Sequence, residues 1–113
     1  MNLVDREVAV AVALRAFASV EGQVVYVDRA VRSPGTVVLG MESHLVDVPC
    51  LVVFCDHRPG ANWMHSCAYA LVDPTGPTVL HTLSSDRPPA FGRLPETWVI
   101  ASDPNGRADL LSP

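Results

Sequence analysis

Two apolar runs decide the fold: Leu51-Val52-Val53-Phe54-Cys55-Asp56-His57 and His65-Ser66-Cys67-Ala68-Tyr69-Ala70-Leu71-Val72. Between them lies Arg58-Pro59-Gly60-Ala61-Asn62-Trp63-Met64, which carries the Pro, Gly and Asn of a turn-forming loop. Valine and aromatic residues fill a pleated, half-buried surface well, so each run reads as a strand and the pair as an antiparallel hairpin. Such a hairpin gathers two cysteines and two histidines beside one loop.

Upstream, residues 3–20 are expected to form a helix. Asn2 can cap it, Asp5 can reach back to the cap, and Asp5 and Glu7 suit the positive end of the helix dipole. Val10, Leu14 and Phe17 recur at helical spacing, with Val4, Val8 and Ala11 on the next face. Gly22 is a plausible stop. Beyond it the pattern turns to period two. Residues 23–31 and 36–41 read as strands around a Ser33-Pro34-Gly35 turn, and Glu42-Ser43-His44 as an interruption before a strand at 45–48. After the hairpin, Asp73-Pro74-Thr75-Gly76-Pro77 is a turn, residues 78–83 a strand, 84–95 a loop and 97–101 a last strand. The fold class is therefore α+β: one N-terminal helix packed on a curled antiparallel sheet of four to six strands. Residues 1–101 make a single domain and 102–113 a polar tail. The strands carry apolar residues on both faces, so neither face can be left wet.

Charged residues are 18% of the 113-residue chain, below the ~25% of an average domain, and hydrophobic residues 49%. A core large enough to stand without metals or disulfides follows. The net charge is −4, and all 8 basic residues are Arg, scattered from Arg6 to Arg107. A phosphate backbone or an anionic lipid surface needs concentrated positive charge, so neither nucleic acid nor membrane is an expected partner. No apolar stretch reaches the ~18 residues of a membrane span, and the first residues carry acids where a signal peptide has bases. A cytoplasmic chain with free thiols is expected, since Cys50, Cys55 and Cys67 are odd in number and sit in apolar runs.

Side chains alternate along strands, so Cys55 and His57 share one face of the first run, and His65 and Cys67 one face of the second. If His57 lies opposite His65, Cys55 lies opposite Cys67. The four then approach a tetrahedral Cys₂His₂ zinc site, or Cys55 and Cys67 a disulfide. A one-residue slip would undo both. A thiol enzyme is the related alternative, with Cys67 as nucleophile, His65 as base and Asp86 or Asp73 orienting the imidazole. Opposed to all of these stands the plain reading of buried thiols and histidines at a loop mouth. His44 and His81 read as surface or turn histidines. Asp56, on the face away from Cys55 and His57, reads as solvated or paired with an Arg. Arg58, Asn62 and Trp63 together make the loop a candidate binding tip, Trp and Arg being enriched at interaction hot spots. Trp98 is expected in the core.

The order of elements over residues 3–83, ending in Val72-Asp73-Pro74-Thr75-Gly76-Pro77-Thr78-Val79, resembles cystatin-like and PepSY-type propeptide domains. That resemblance implies a non-catalytic module that binds or restrains a hydrolase. Trp63-Met64-His65 opening a strand is similar to the His-bearing half of papain-like protein glutaminases, whose nucleophilic Cys opens an upstream helix; here that helix holds no Cys. The function expected first is a small regulatory module. It engages a protein or peptide through the 58–63 loop or a sheet edge, with a homodimer through edge strands also open. A Cys/His-dependent enzyme or zinc site is the alternative.

Overall fold

A computed structural model describes residues 6–16, 23–39, 42–59, 65–75, 78–87, 89, 94–106 and 108. Helix α1 (Arg6–Ala16) is followed by β1 (Val24–Asp28), β2 (Gly35–Leu39), β3 (Glu42–Val46), β4 (Leu51–Asp56), β5 (Cys67–Asp73), β6 (Thr78–Ser85) and β7 (Trp98–Ser102). The fold is α+β. Five strands form an open antiparallel sheet in the order β6-β5-β4-β1-β7, and β2 with β3 makes a separate two-stranded ribbon.

The ribbon is an excursion between β1 and β4. Its neck is closed by a two-way backbone bridge in which Arg32 N–H donates to the Cys50 carbonyl at 2.8 Å and Cys50 N–H to the Arg32 carbonyl at 3.0 Å. Gly35 opens β2 at φ 135°, a backbone region that L side chains rarely adopt, so the Pro34-Gly35 bend requires a glycine there. Glu42-Ser43-His44, expected as an interruption, is strand. Glu42 pairs with Leu39 and His44 with Val37, and residues 36–41 and 45–48 are two halves of one hairpin rather than successive strands of the main sheet.

Both faces of the five-stranded sheet are covered, as its two-sided apolar pattern demands. One face carries Tyr26, Phe54 and Tyr69, all fully buried, directly opposite one another across β1, β4 and β5. Their rings stack at 5.9 Å and tilt together at 5.1 Å, and the inward residues Val37, Leu39 and Val46 of the ribbon close over them. Trp98 joins this core, as expected, and Ala108 packs on its margin. The other face, with Val25, Val27, Val53, Cys55, Ala68, Ala70 and Val72, meets α1 through Ala9, Val10 and Ala13. The buried stripe of α1 thus runs through Ala9 and Ala13, whose small side chains allow close approach, while Val8 and Ala11 face outward. Phe17, Val4 and the expected capping residues lie outside the described residues. Helix α1 lies over β4, β5 and β6.

Candidate functional site

The register of β4 against β5 decides what the Cys/His hairpin can do. Cys55 pairs with Ala68 and Asp56 with Cys67, one residue off the pairing that would face Cys55 to Cys67. Because the side-chain period is two, this offset sends the two thiols to opposite faces. Cys67 packs under the ribbon with Phe54 and Tyr69, and Cys55 under α1 with Val53 and Ala68. The Cys₂His₂ convergence of Cys55, His57, His65 and Cys67 does not form, and all three cysteines are free. Among the described residues, no group of three His, Cys, Asp or Glu side chains is placed to hold a metal ion.

The same register brings Asp56 and His65 together. Both continue the ribbon-facing side of their strands, and His65 Nε2 lies 2.8 Å from Asp56 Oδ1, with the side chains only 6% and 1% exposed. An ionised carboxylate only accepts, so Nε2 is the protonated ring nitrogen. The same Oδ1 accepts the Arg58 N–H at 3.0 Å, and the His65 N–H donates to the Asp86 carbonyl at 2.8 Å. Asp56 therefore clasps the mouth of the 58–64 loop from inside. It is buried rather than solvated, and it, not Asp86, orients His65. The Asp86 carboxylate is exposed and lies 3.6 Å from Arg87 Nε. Asp56 was legible only as the residue whose parity matched Cys67 in the other register.

His57 lies beside this clasp. Its Nδ1 is 3.0 Å from Ser66 Oγ, and its Nε2 is buried with no hydrogen-bond partner among the described residues. Burial lowers its pKa, and the nearby His65 adds to that, while the Asp56 charge pulls the other way. The thiols are shifted in the opposite sense. Burial pushes Cys67 up to about 12 against a hydrogen bond to the Ser85 carbonyl, with the Asp56 charge adding to the rise. Burial likewise pushes Cys55 up to about 12, helped by the Asp56 charge, with its Sγ 3.2 Å from Gln23 Oε1. Burial also raises Cys50. A thiol so held stays protonated near neutral pH and is no nucleophile.

Of the expected binding tip, Arg58 is exposed; Asn62 and Trp63 lie outside the described residues. His44 and His81 pair across the layers, ring centroids 5.5 Å apart, with His44 Nε2 3.6 Å from Glu42 Oε2. Two features escaped the sequence because they are made by tertiary placement. One is an apolar groove of about 520 Å³ between α1 and β7. The other is a shallower hollow of about 360 Å³ where Glu42 faces Ser84, Ser85 and Asp86. No membrane-crossing helix is present: no helix among the described residues is long and apolar enough. Compared with known proteins, the chain matches no protein-family model, no curated protein and no solved structure.

Proposed function

We propose that this domain is a non-catalytic binding module that takes a protein or peptide partner along an edge of its sheet. The observation that carries the reading is the pair of outer strands. β6 (Thr-Val-Leu-His-Thr-Leu-Ser-Ser) and β7 (Trp-Val-Ile-Ala-Ser) contain no Asp, Glu, Lys, Arg or Pro, and among the described residues each pairs on one side only. Unpaired edges are ordinarily guarded by charge, proline or brevity, and β6 at eight residues has none of the three. An extended segment added to such an edge satisfies the free backbone groups and reads sequence through alternate side chains. Buried, protonated thiols and an internal Asp56–His65 pair support a structural rather than chemical role for the hairpin. Free thiols in apolar surroundings suit a reducing cytoplasm.

The 58–63 loop is the second surface, favoured by the exposed Arg58 side chain above a mouth held rigid by Asp56. Selection of a displayed random-peptide library on the immobilised domain, followed by amide-shift mapping of the selected peptides, tests the reading. Peptides that perturb β6 or β7 and survive Trp63→Ala support it. Peptides lost with Trp63→Ala move the site to the loop, and a library yielding no binder refutes the binding role.

A further inference from the structure

The two sheet edges are not equivalent, and the difference names the occupant of one of them. Helix α1 sits over the β4–β6 half of its face, so a trough opens between the helix and β7 at the far edge. One wall is Val10, Ala11 and Leu14 of α1; the other is Val99 and Ala101 of β7. Its volume, about 520 Å³, is that of a pocket for a small ligand or a few side chains. Val99 pairs with Val27, a residue of the helix-side core, and so points into the trough. The β1–β7 register slips between Tyr26↔Ile100 and Val25↔Ser102, which leaves Ala101 as the extra residue of a bulge on the groove wall.

Among the lining residues only Glu7, on the rim in the first turn of α1, carries a charge. An unpaired backbone edge, an apolar trough beside it and one carboxylate at the rim define a specific complement. We infer that the α1–β7 groove receives an extended peptide segment of another protein, with aliphatic residues at alternate positions and a lysine or arginine near one end. Its backbone adds a sixth strand to β7, its alternate side chains enter the trough, and its basic residue meets Glu7. The five residues of β7 set the length: about 17 Å of extended chain at 3.4 Å per residue. This inference rests on the sheet-edge reading and commits it to one edge and one chemistry.

The test uses four synthetic peptides against the full chain. They are an acetylated, amidated lysine-valine-serine-valine-serine-valine, its counterpart with glutamate for lysine, its counterpart N-methylated at alternate amides, and a proline-rich control. The expected result is amide shifts in β7 with the lysine peptide, and loss of binding on N-methylation. Ala11→Phe, which fills the trough from an exposed helix position, should weaken capture by about tenfold or more. Glu7→Arg should reverse the preference from lysine to glutamate. Should Ala11→Phe fail to fold, Ala101→Phe fills the trough from the opposite wall. Shifts confined to β6, or capture indifferent to both trough-filling variants, overturn the groove while leaving edge binding intact. No binding of any peptide up to about 1 mM overturns the inference, and the unbiased library selection then judges the broader reading by itself. Self-association in sedimentation that Ala11→Phe abolishes would put a second copy of this chain in the groove and likewise overturn it.

Discussion

Raising the pH from 8 to 10 should destabilise this domain through two residues that no base touches. Cys55 and Cys67 ordinarily ionise at 9.0, and burial moves both to about 12 in the fold. A group raised in the folded state contributes stability that is complete below its unfolded value and is lost as pH climbs toward the folded one. The loss therefore begins near pH 9. At pH 10 the unfolded chain has gained about 1.4 kcal/mol from each ionised thiol, or ~3 kcal/mol for the pair. Any folded value above about 11 gives the same figure at pH 10, because only the first unit of the shift is in play. Tyr69, also pushed upward by burial, adds a smaller share because its ordinary value is 10.0. With a urea dependence of about 1–3 kcal/mol per molar, the midpoint should fall by about 1–2 M between pH 8 and 10. A Cys55→Ala, Cys67→Ala double variant should lose most of that fall. The same shift leaves about one thousandth of the ordinary thiolate at pH 8, so native alkylation should be slow and should follow unfolding. A urea midpoint indifferent to pH over this range, or one cysteine alkylating in the native state as fast as a free thiol, would refute the structural assignment and restore Cys67 as a nucleophile.

Removing the clasp should be severe. Asp56→Ala leaves His65 and the Arg58 N–H without the Oδ1 they share, at a cost of about 3–5 kcal/mol in urea unfolding, whereas Asp56→Asn keeps an acceptor and should cost less. Acid should also destabilise. The folded His57 takes up its proton less readily than the unfolded chain, so stability is full above pH 6.5 and falls as pH drops below it. Thermal melts between pH 8 and 5 should show this slope, and His57→Gln should flatten it. Phe54→Ala, at the centre of the three-ring row, should cost about 3–5 kcal/mol. Leu45→Ser, on the 78% exposed outer face of the ribbon, should stay within ~0.5 kcal/mol by the same measurement.

Local pattern revealed the elements of this fold better than their partners. The helix, the β4–β5 hairpin, the strand at 98–102 and the buried Trp98 are written in spacing and residue type, which neighbours in sequence suffice to interpret. The ribbon is different. Glu42 and His44 are polar, so residues 42–44 look like a break. They are strand because Val37 and Leu39 supply the apolar inward residues opposite them, while Glu42 and His44 reach the margin of the layer near β6. The candidate site was legible in its membership and illegible in its parity. Cys55, Asp56, His57, His65 and Cys67 all stand out by type, but the turn that sets their register is not regular enough to count. A one-residue difference converts a facing pair of thiols into a facing pair of Asp56 and Cys67.

That parity has a wider consequence for where this molecule can act. In the observed register every reactive side chain of the hairpin points into one of the two cores, and each core is closed, one by the ribbon and one by α1. What remains open to another molecule is the perimeter. The chain has 20 charged residues, 12 acidic and 8 basic, and none falls on β6 or β7. An uncovered edge without charge invites pairing with any free strand, a hazard that a domain with charges elsewhere could have blunted by a single substitution. Each edge pair carries one register irregularity, which twists the strand but leaves its backbone groups free. A partner that covers the edge removes the hazard and the free hydrogen-bonding groups together. The groove beside β7 offers such a partner side-chain specificity as well as a ladder, and the ribbon-side hollow beside β6, lined by Glu42, Ser84, Ser85 and Asp86, is polar and shallow. Between two unguarded edges, the one with an apolar trough is where burial can offset the cost of ordering an extended chain.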